Sequence, residues 1–187
     1  MIIPLGSLWL PIVLSAVFVF VASSLVHMIL PWHKSDYPRL ADEERARTAI
    51  GALALPPGDY IIPRPADRAG MNSPEFRKKL ETGPVLVMTV RPNGAPGMGR
   101  SLGLWFVYCL VMSIFAAYIA SRALGPGAPY RGVFRFAGAT AFIGYAAALW
   151  QFSIWWGRKW STTIKSTIDG LIYACLTAGT FGWLWPH

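Results

Sequence analysis

Four long apolar segments divide this chain of 187 residues, and they constrain its fold more than any other feature. The hydrocarbon core of a bilayer is about 30 Å thick and takes roughly 20 apolar residues of helix to cross. The first three segments contain no Asp, Glu, Lys or Arg, and the fourth contains only Asp169. The pattern predicts a membrane all-α fold, a bundle of four transmembrane helices. The segments are Leu8 to Leu30, Leu102 to Ser121, Phe136 to Gly157 and Ser166 to Pro186.

The segments imply a simple domain organisation. Residues 1–30 hold the first transmembrane helix, residues 31–101 form an extramembrane loop domain, and residues 102–187 hold helices 2 to 4 with short loops. Small residues recur at every fourth position of the last segment, at Gly170, Ala174, Ala178 and Gly182. Because helices in lipid associate through close packing of small side chains, this stripe predicts a tightly packed bundle.

The extramembrane loop contains signals for both helices and strands. Asp42 to Ala52 is typical of a short helix, and Ser73-Pro74-Glu75 combines a capping serine with proline at the first helical position. Thr82-Gly83-Pro84 should end that second helix. Asp59 to Ile62 and Val85 to Val90 are rich in strand-forming residues. We therefore expect a small α+β extramembrane cap with two or three strands between helices 1 and 2.

Basic residues are distributed as membrane orientation requires. The net charge is +8, but residues 31–101 combine 11 of the 17 Lys and Arg with eight of the nine carboxylates, which argues against a nucleic-acid partner. Close to the spans, the first and third loops hold nine basic residues against three in the second. Cytoplasmic loops carry such an excess. We expect a multi-pass protein of the cytoplasmic (inner) membrane, with loops 1 and 3 in the cytoplasm.

Cysteine and histidine spacing gives no sign of a metal site or a cofactor. Cys109 and Cys175 both lie in predicted spans, where cysteines are expected to be small packing residues. The spacings of zinc sites are absent. His27 and His33 lie six residues apart around Pro31, which makes a poor preformed chelate. The sequence therefore predicts no metal and no cofactor.

Polar residues inside the spans fall towards the cytoplasmic side of the predicted bundle. At 1.5 Å per residue their depths agree within about two helical turns, so we expect one polar layer. A buried carboxylate needs a partner, and Lys165, Arg158 and Arg100 are the candidates for Asp169. The layer either cross-links the bundle or contains a proton-transfer or ligand-binding pair, His27 and Asp169, oriented by Gln151 and Tyr108. The remaining alternative is metal binding by His27 and His33, which the lack of further ligands disfavours. The layer consists of His27, Tyr108, Gln151 and Asp169.

A second group of polar residues lies where the first span leaves the membrane. This interface collar is His33, Lys34, Asp36 and Tyr37. It is either a site for a lipid headgroup or a protein partner, or a solvated anchor for the span.

Three functions are compatible with these features. Because the sequence lacks a nucleophile–base–acid arrangement, the leading hypothesis is a non-enzymatic structural or accessory subunit, acting through helix packing and its soluble loop. Its partners are the lipid bilayer and either another protein or further copies of the chain. The alternatives are an oligomeric transporter or channel subunit, and a membrane enzyme acting on lipid or quinone at the inner-leaflet His/Asp layer. A cavity opening into lipid beside His27 and Asp169 would favour the enzyme, and a filled bundle would favour the first hypothesis.

Overall fold

The computed structural model describes residues 3–95 and 97–187, and it is mostly helical (68%). Contacts divide the chain into a helical unit, Met1–Pro38 with Gly97–His187, and a loop unit, Arg39–Pro96. The elements in chain order are α1 (Trp9–Ser24), α2 (Glu43–Gly51), β1 (Gly58–Ile62), α3 (Pro74–Thr82), β2 (Leu86–Val90), α4 (Met98–Ala123), α5 (Tyr130–Ala146), α6 (Trp150–Trp156) and α7 (Trp160–Trp183).

Among the described residues, three helices are long and apolar enough to cross a membrane. They are Leu5–Ile29, which contains α1, then α4, and Tyr130–Trp156, which joins α5 and α6 through a 3-10 turn. These helices are consistent with a membrane protein. The helix of the fourth predicted span, α7, is long enough but not apolar enough to be counted with them, because its sequence includes Lys165, Asp169 and several Ser and Thr residues. The expectation of four spans is thus supported for three helices.

The four long helices form a closed ring of contacts. Helix α1 packs against α4 and α7, and α5 packs against the same two helices. On α4 the buried side chains are small, including Ser113 and Ala117, whereas larger Ile114 and Phe115 are exposed. Small residues inside and large apolar residues outside are the arrangement expected of helices that face lipid.

The α5–α7 contact is especially close because glycines lie in it. A Cβ built on Gly170 would come within 2.8 Å of the Cβ of Ala146, and one built on Gly138 within 3.0 Å of Ala178. Ala174 and Ala178 are also buried. The predicted stripe of small residues on the last segment is therefore confirmed, and it holds α7 against α5.

The loop unit is an α+β element, as the sequence predicts. Asp42 caps α2 by accepting a hydrogen bond from the Arg45 amide at 3.0 Å, and Ser73 caps α3 by accepting from the Phe76 amide at 3.1 Å. Strands β1 and β2 pair antiparallel with Tyr60 opposite Met88, and they are the sheet's two strands in the described residues. None of the described residues of this unit is buried.

Candidate functional site

The chain changes direction immediately after the first long helix. Its last turn, Leu25–Ile29, is π-helical, with the Leu30 amide donating to the Leu25 carbonyl at 3.0 Å. Leu30 is then extended, as expected for a residue before proline, and Pro31–His33 form a 3-10 turn. Turns of π-helix occur frequently at functional sites. This geometry brings the His27 side chain close to that of His33.

Asp169 is the buried acceptor at the centre of the site. It lies on α7 with 3% of its surface exposed. Its Oδ1 accepts a hydrogen bond from the Trp32 Nε1 at 3.1 Å, and its Oδ2 lies 2.8 Å from the His33 Nε2. The expectation that Asp169 pairs with Lys165, Arg158 or Arg100 is wrong. The partners come instead from the turn that follows the first long helix.

A second carboxylate, Asp36, completes a closed network. Its Oδ2 lies 2.7 Å from the His33 Nδ1, and its Oδ1 accepts from the Lys165 Nζ at 3.0 Å. Lys165 also donates to the Trp32 carbonyl and to the Ser35 hydroxyl, both at 2.8 Å. All three donor positions of the ammonium group are therefore used.

His33 lies between the two carboxylates and contacts each with a different ring nitrogen. A neutral imidazole has one N–H and can donate to only one of them, whereas an imidazolium donates to both. We call Trp32, His33, Asp36, Lys165 and Asp169 the charged cluster.

Hydrogen bonding in the charged cluster favours the ionised form of Asp36. Burial opposes that ionisation, but hydrogen bonds from His33 and Lys165, together with the nearby positive charge of Lys165, outweigh it and lower the pKa of Asp36 below its ordinary value. Asp36 is therefore a fixed negative charge at neutral pH.

His27 lies beside the charged cluster. Its ring centroid is 4.4 Å from that of His33. One ring nitrogen of each histidine and one carboxylate oxygen of Asp169 all lie within 4.8 Å of one another. The structure thus brings His27 and Asp169 together, as the sequence suggests, but the direct hydrogen bond to Asp169 comes from His33. His27 is exposed.

The other two residues of the predicted polar layer make different contacts. The Tyr108 hydroxyl donates to the Gly144 carbonyl at 2.7 Å, and its ring stacks on Trp105 with centroids 5.4 Å apart. Gln151 is exposed and makes no side-chain hydrogen bond in the described part of the chain. Neither residue hydrogen-bonds to Asp169 there. The structure therefore gives no support for their role in orienting a His27–Asp169 pair.

The interface collar divides in the same way. His33 and Asp36 belong to the charged cluster, whereas Lys34 and Tyr37 are exposed and make no side-chain hydrogen bond among residues 3–95 and 97–187. Trp32 was not a candidate site residue. The relevant signal was the position of this tryptophan at the end of a span, where an indole N–H that is partly shielded from water needs an acceptor.

Sequence reasoning also missed two tyrosines near the site. The hydroxyls of Tyr145 and Tyr173 are buried and have no hydrogen-bond partner within the described residues. Their rings lie 5.5 Å apart, and each lies 6.3 Å from Trp105. Tyr173 follows Asp169 by four residues on α7 and so lies one turn away. The four-residue spacing from Asp169 was the sequence signal that could have placed Tyr173 near the site.

A shallow depression adjoins the charged cluster, lined by Leu30, Pro31, Trp32 and Lys165. It makes that side of the cluster accessible from the molecular surface. No family model, curated protein or solved structure matches the chain, so any functional assignment depends on this geometry.

Proposed function

We propose that this is a four-span protein of the cytoplasmic membrane and that α7 is its fourth span. The support is the distribution of side chains on α7. Its buried residues include Asp169, Thr177 and Thr180, whereas Ile168 and Leu171 are exposed. The two threonine hydroxyls donate to carbonyls one turn earlier on the same helix. Because Asp169 and these two threonines have hydrogen-bond partners inside the bundle, α7 can present an apolar surface to lipid.

The proposed function is that of a structural or accessory subunit, with the loop unit as its partner-binding part. The observation that carries this proposal is that no described residue of the loop unit is buried. Apolar side chains such as Ile61 and Val87, which face each other across β1 and β2, are exposed. A small unit without a core of its own gains stability from a partner. The charged cluster serves as a latch between the end of the first span and α7.

The test is recovery of protein partners from native membranes with the full chain as bait. We expect Ile61→Lys combined with Val87→Lys to reduce recovery of the principal partner at least tenfold relative to the unsubstituted chain. The matched control is Leu53→Lys, which adds a charge at an exposed apolar position of the same unit outside the two strands. A chain that purifies without any stoichiometric partner would contradict the accessory role.

Topology is tested by cysteine labelling in intact cells. The background is Cys175→Ser, because Cys175 is exposed, whereas Cys109 is buried. Ser7→Cys and Gly127→Cys should react with an impermeant reagent from outside, and Asn72→Cys only after the membrane is opened. Labelling of the first two from opposite sides would contradict four spans. Labelling of the third from outside would invert the orientation.

A membrane enzyme acting on lipid or quinone is the second candidate. The observation in its favour is an exposed imidazole, His27, within reach of the buried Asp169. The test is incubation of the protein in nanodiscs with extracted native lipids and quinones, followed by mass spectrometry. Conversion that His27→Gln removes would favour the enzyme. A transport path through one chain has less support, because Leu8, Ile12 and Phe181 fill the opposite end of the bundle.

A further inference from the structure

We infer that His27, His33 and Asp169 bind one divalent transition-metal ion of the Zn²⁺ class at the edge of the charged cluster. Each residue offers one ligand atom, and the three atoms already lie within 4.8 Å of one another. Two imidazole nitrogens and one carboxylate oxygen are the three protein ligands of many catalytic zinc sites. The inference does not depend on an accessory role for the protein.

The residues that hydrogen-bond to the ligands, Trp32 and Asp36, are stronger support for a metal site than the ligands alone. Metal-binding histidines almost always donate their second ring N–H to a carboxylate or carbonyl, which fixes the ring and its tautomer. Asp36 accepts from the His33 Nδ1 at 2.7 Å, which leaves Nε2 as the ligand atom. Trp32 donates to the Asp169 Oδ1 at 3.1 Å, which leaves Oδ2. Each ligand is therefore held through one atom, and the other two atoms, the His33 Nε2 and the Asp169 Oδ2, are hydrogen-bonded to each other where the ion would bind.

Only small movements are needed to admit the ion. Zn–N and Zn–O bonds of about 2.0–2.2 Å place neighbouring tetrahedral ligands roughly 3.3 Å apart. The His33 Nε2 and Asp169 Oδ2 are 2.8 Å apart, so they must separate by about half an ångström. His27 must approach, and its side chain is exposed on a π-helical turn. The ion takes the place of the proton that the two atoms share.

The chemistry of the site selects the class of ion. Imidazole nitrogens favour Zn²⁺ and its neighbours in the first transition row, whereas Mg²⁺ and Ca²⁺ prefer sites made of oxygen atoms. His33 gives up its Nε2 proton when it binds the ion, and that proton leaves to solvent. Because the chain supplies three ligands, a fourth position remains open for water or a small ligand.

Replacing His27 distinguishes a metal site from a latch that is held only by hydrogen bonds. The bonds among Trp32, His33, Asp36, Lys165 and Asp169 form without it. If the charged cluster is only a latch, replacing His27 changes nothing measurable. If it holds an ion, the same replacement removes one of three ligands while the remaining network keeps the fold.

The test uses the full chain in detergent after treatment with a chelator, titrated with ZnCl₂ in a calorimeter. We expect one Zn²⁺ per chain, and a loss of affinity of at least tenfold in His27→Gln. His187→Gln, at the chain terminus, is the matched control and should leave affinity unchanged. Asp36→Asn should weaken binding about 10- to 100-fold, as expected for the loss of a group that orients a ligand. Co²⁺ in place of Zn²⁺ should give the visible absorption of a four-coordinate site.

Three results would overturn the inference. They are no saturable Zn²⁺ binding to the unsubstituted chain, equal affinities for the unsubstituted chain and His27→Gln, or an equal loss of affinity in His187→Gln. Circular dichroism of His27→Gln provides the folding control. A variant that is folded and has lost the ion supports the site, because a latch alone predicts no change.

Discussion

Replacing Asp169 tests whether the charged cluster stabilises the bundle. Asp169→Asn keeps the shape of the side chain and an acceptor for the Trp32 indole, but it removes the negative charge that faces His33. Asp169→Ala removes both acceptor oxygens. The two variants therefore separate the loss of charge from the loss of hydrogen bonding.

The magnitudes follow from the number of partners that each variant leaves unsatisfied. A hydrogen bond to a charged group contributes about 1.5–3 kcal/mol, and Asp169→Asn loses one such bond, to His33. We expect it to lower the free energy of unfolding by about that amount. Asp169→Ala leaves two partly buried donors without that acceptor, and breaking a buried pair costs about 3–5 kcal/mol. We expect the alanine variant to be the less stable of the two.

The assay is equilibrium unfolding of the detergent-solubilised full chain in SDS, followed by circular dichroism. Glu75→Gln is the control, because Glu75 is an exposed carboxylate paired with Lys79 on α3 and its loss should not be measurable. An Asp169→Asn variant as stable as this control would refute the argument. So would an alanine variant no less stable than the asparagine variant, since the two donors would then find other partners.

Three further predictions concern other features. Because hydrogen bonding lowers the pKa of Asp36 below 3.8, its contribution to stability is fully present above pH 3.8 and disappears as the pH falls through the lowered pKa. The stability difference between the unsubstituted chain and Asp36→Asn, measured from pH 6 to about pH 2, should therefore be constant above pH 3.8 and decrease below it. Gly170→Ala should destabilise the bundle by about 1–3 kcal/mol, because the added methyl group overpacks against Ala146. Gly103→Ala, which has open space around its Cβ, should not change stability. Equal unfolding curves for the two variants would contradict the close approach of α7 to α5 at Gly170. Amide exchange should be slowed at alternate positions of 86–90 if β2 pairs as described, and uniformly fast exchange there would exclude the ladder.

The sequence predicted local structure better than long-range contacts. The Ser73 cap and the Gly83 stop lie next to the helix that they delimit, so α3 could be predicted almost to the residue. The contact between His33 and Asp169 joins positions 136 residues apart, and nothing local to either residue specifies it. Depth along a predicted span also carries no information about which way a side chain points. His27 and Gln151 were therefore placed in one layer, although only His27 lies beside Asp169.

The inward-facing polar side of α7 has a consequence for how the protein is made. Insertion of a helix into a membrane during synthesis becomes less favourable with each polar residue near its centre, by about 2.5–3.5 kcal/mol for a charged one. Helix α7 follows α1, α4 and α5 in the chain, and among the described residues its carboxylate is hydrogen-bonded by Trp32 and His33, in the turn after the first long helix. Under the four-span topology proposed above, efficient insertion of α7 thus requires that the first long helix and the turn after it are already present. Under that topology, ribosome-bound chains that lack α1 should leave α7 outside the bilayer, so α7 inserts only into a bundle whose earlier helices are in place.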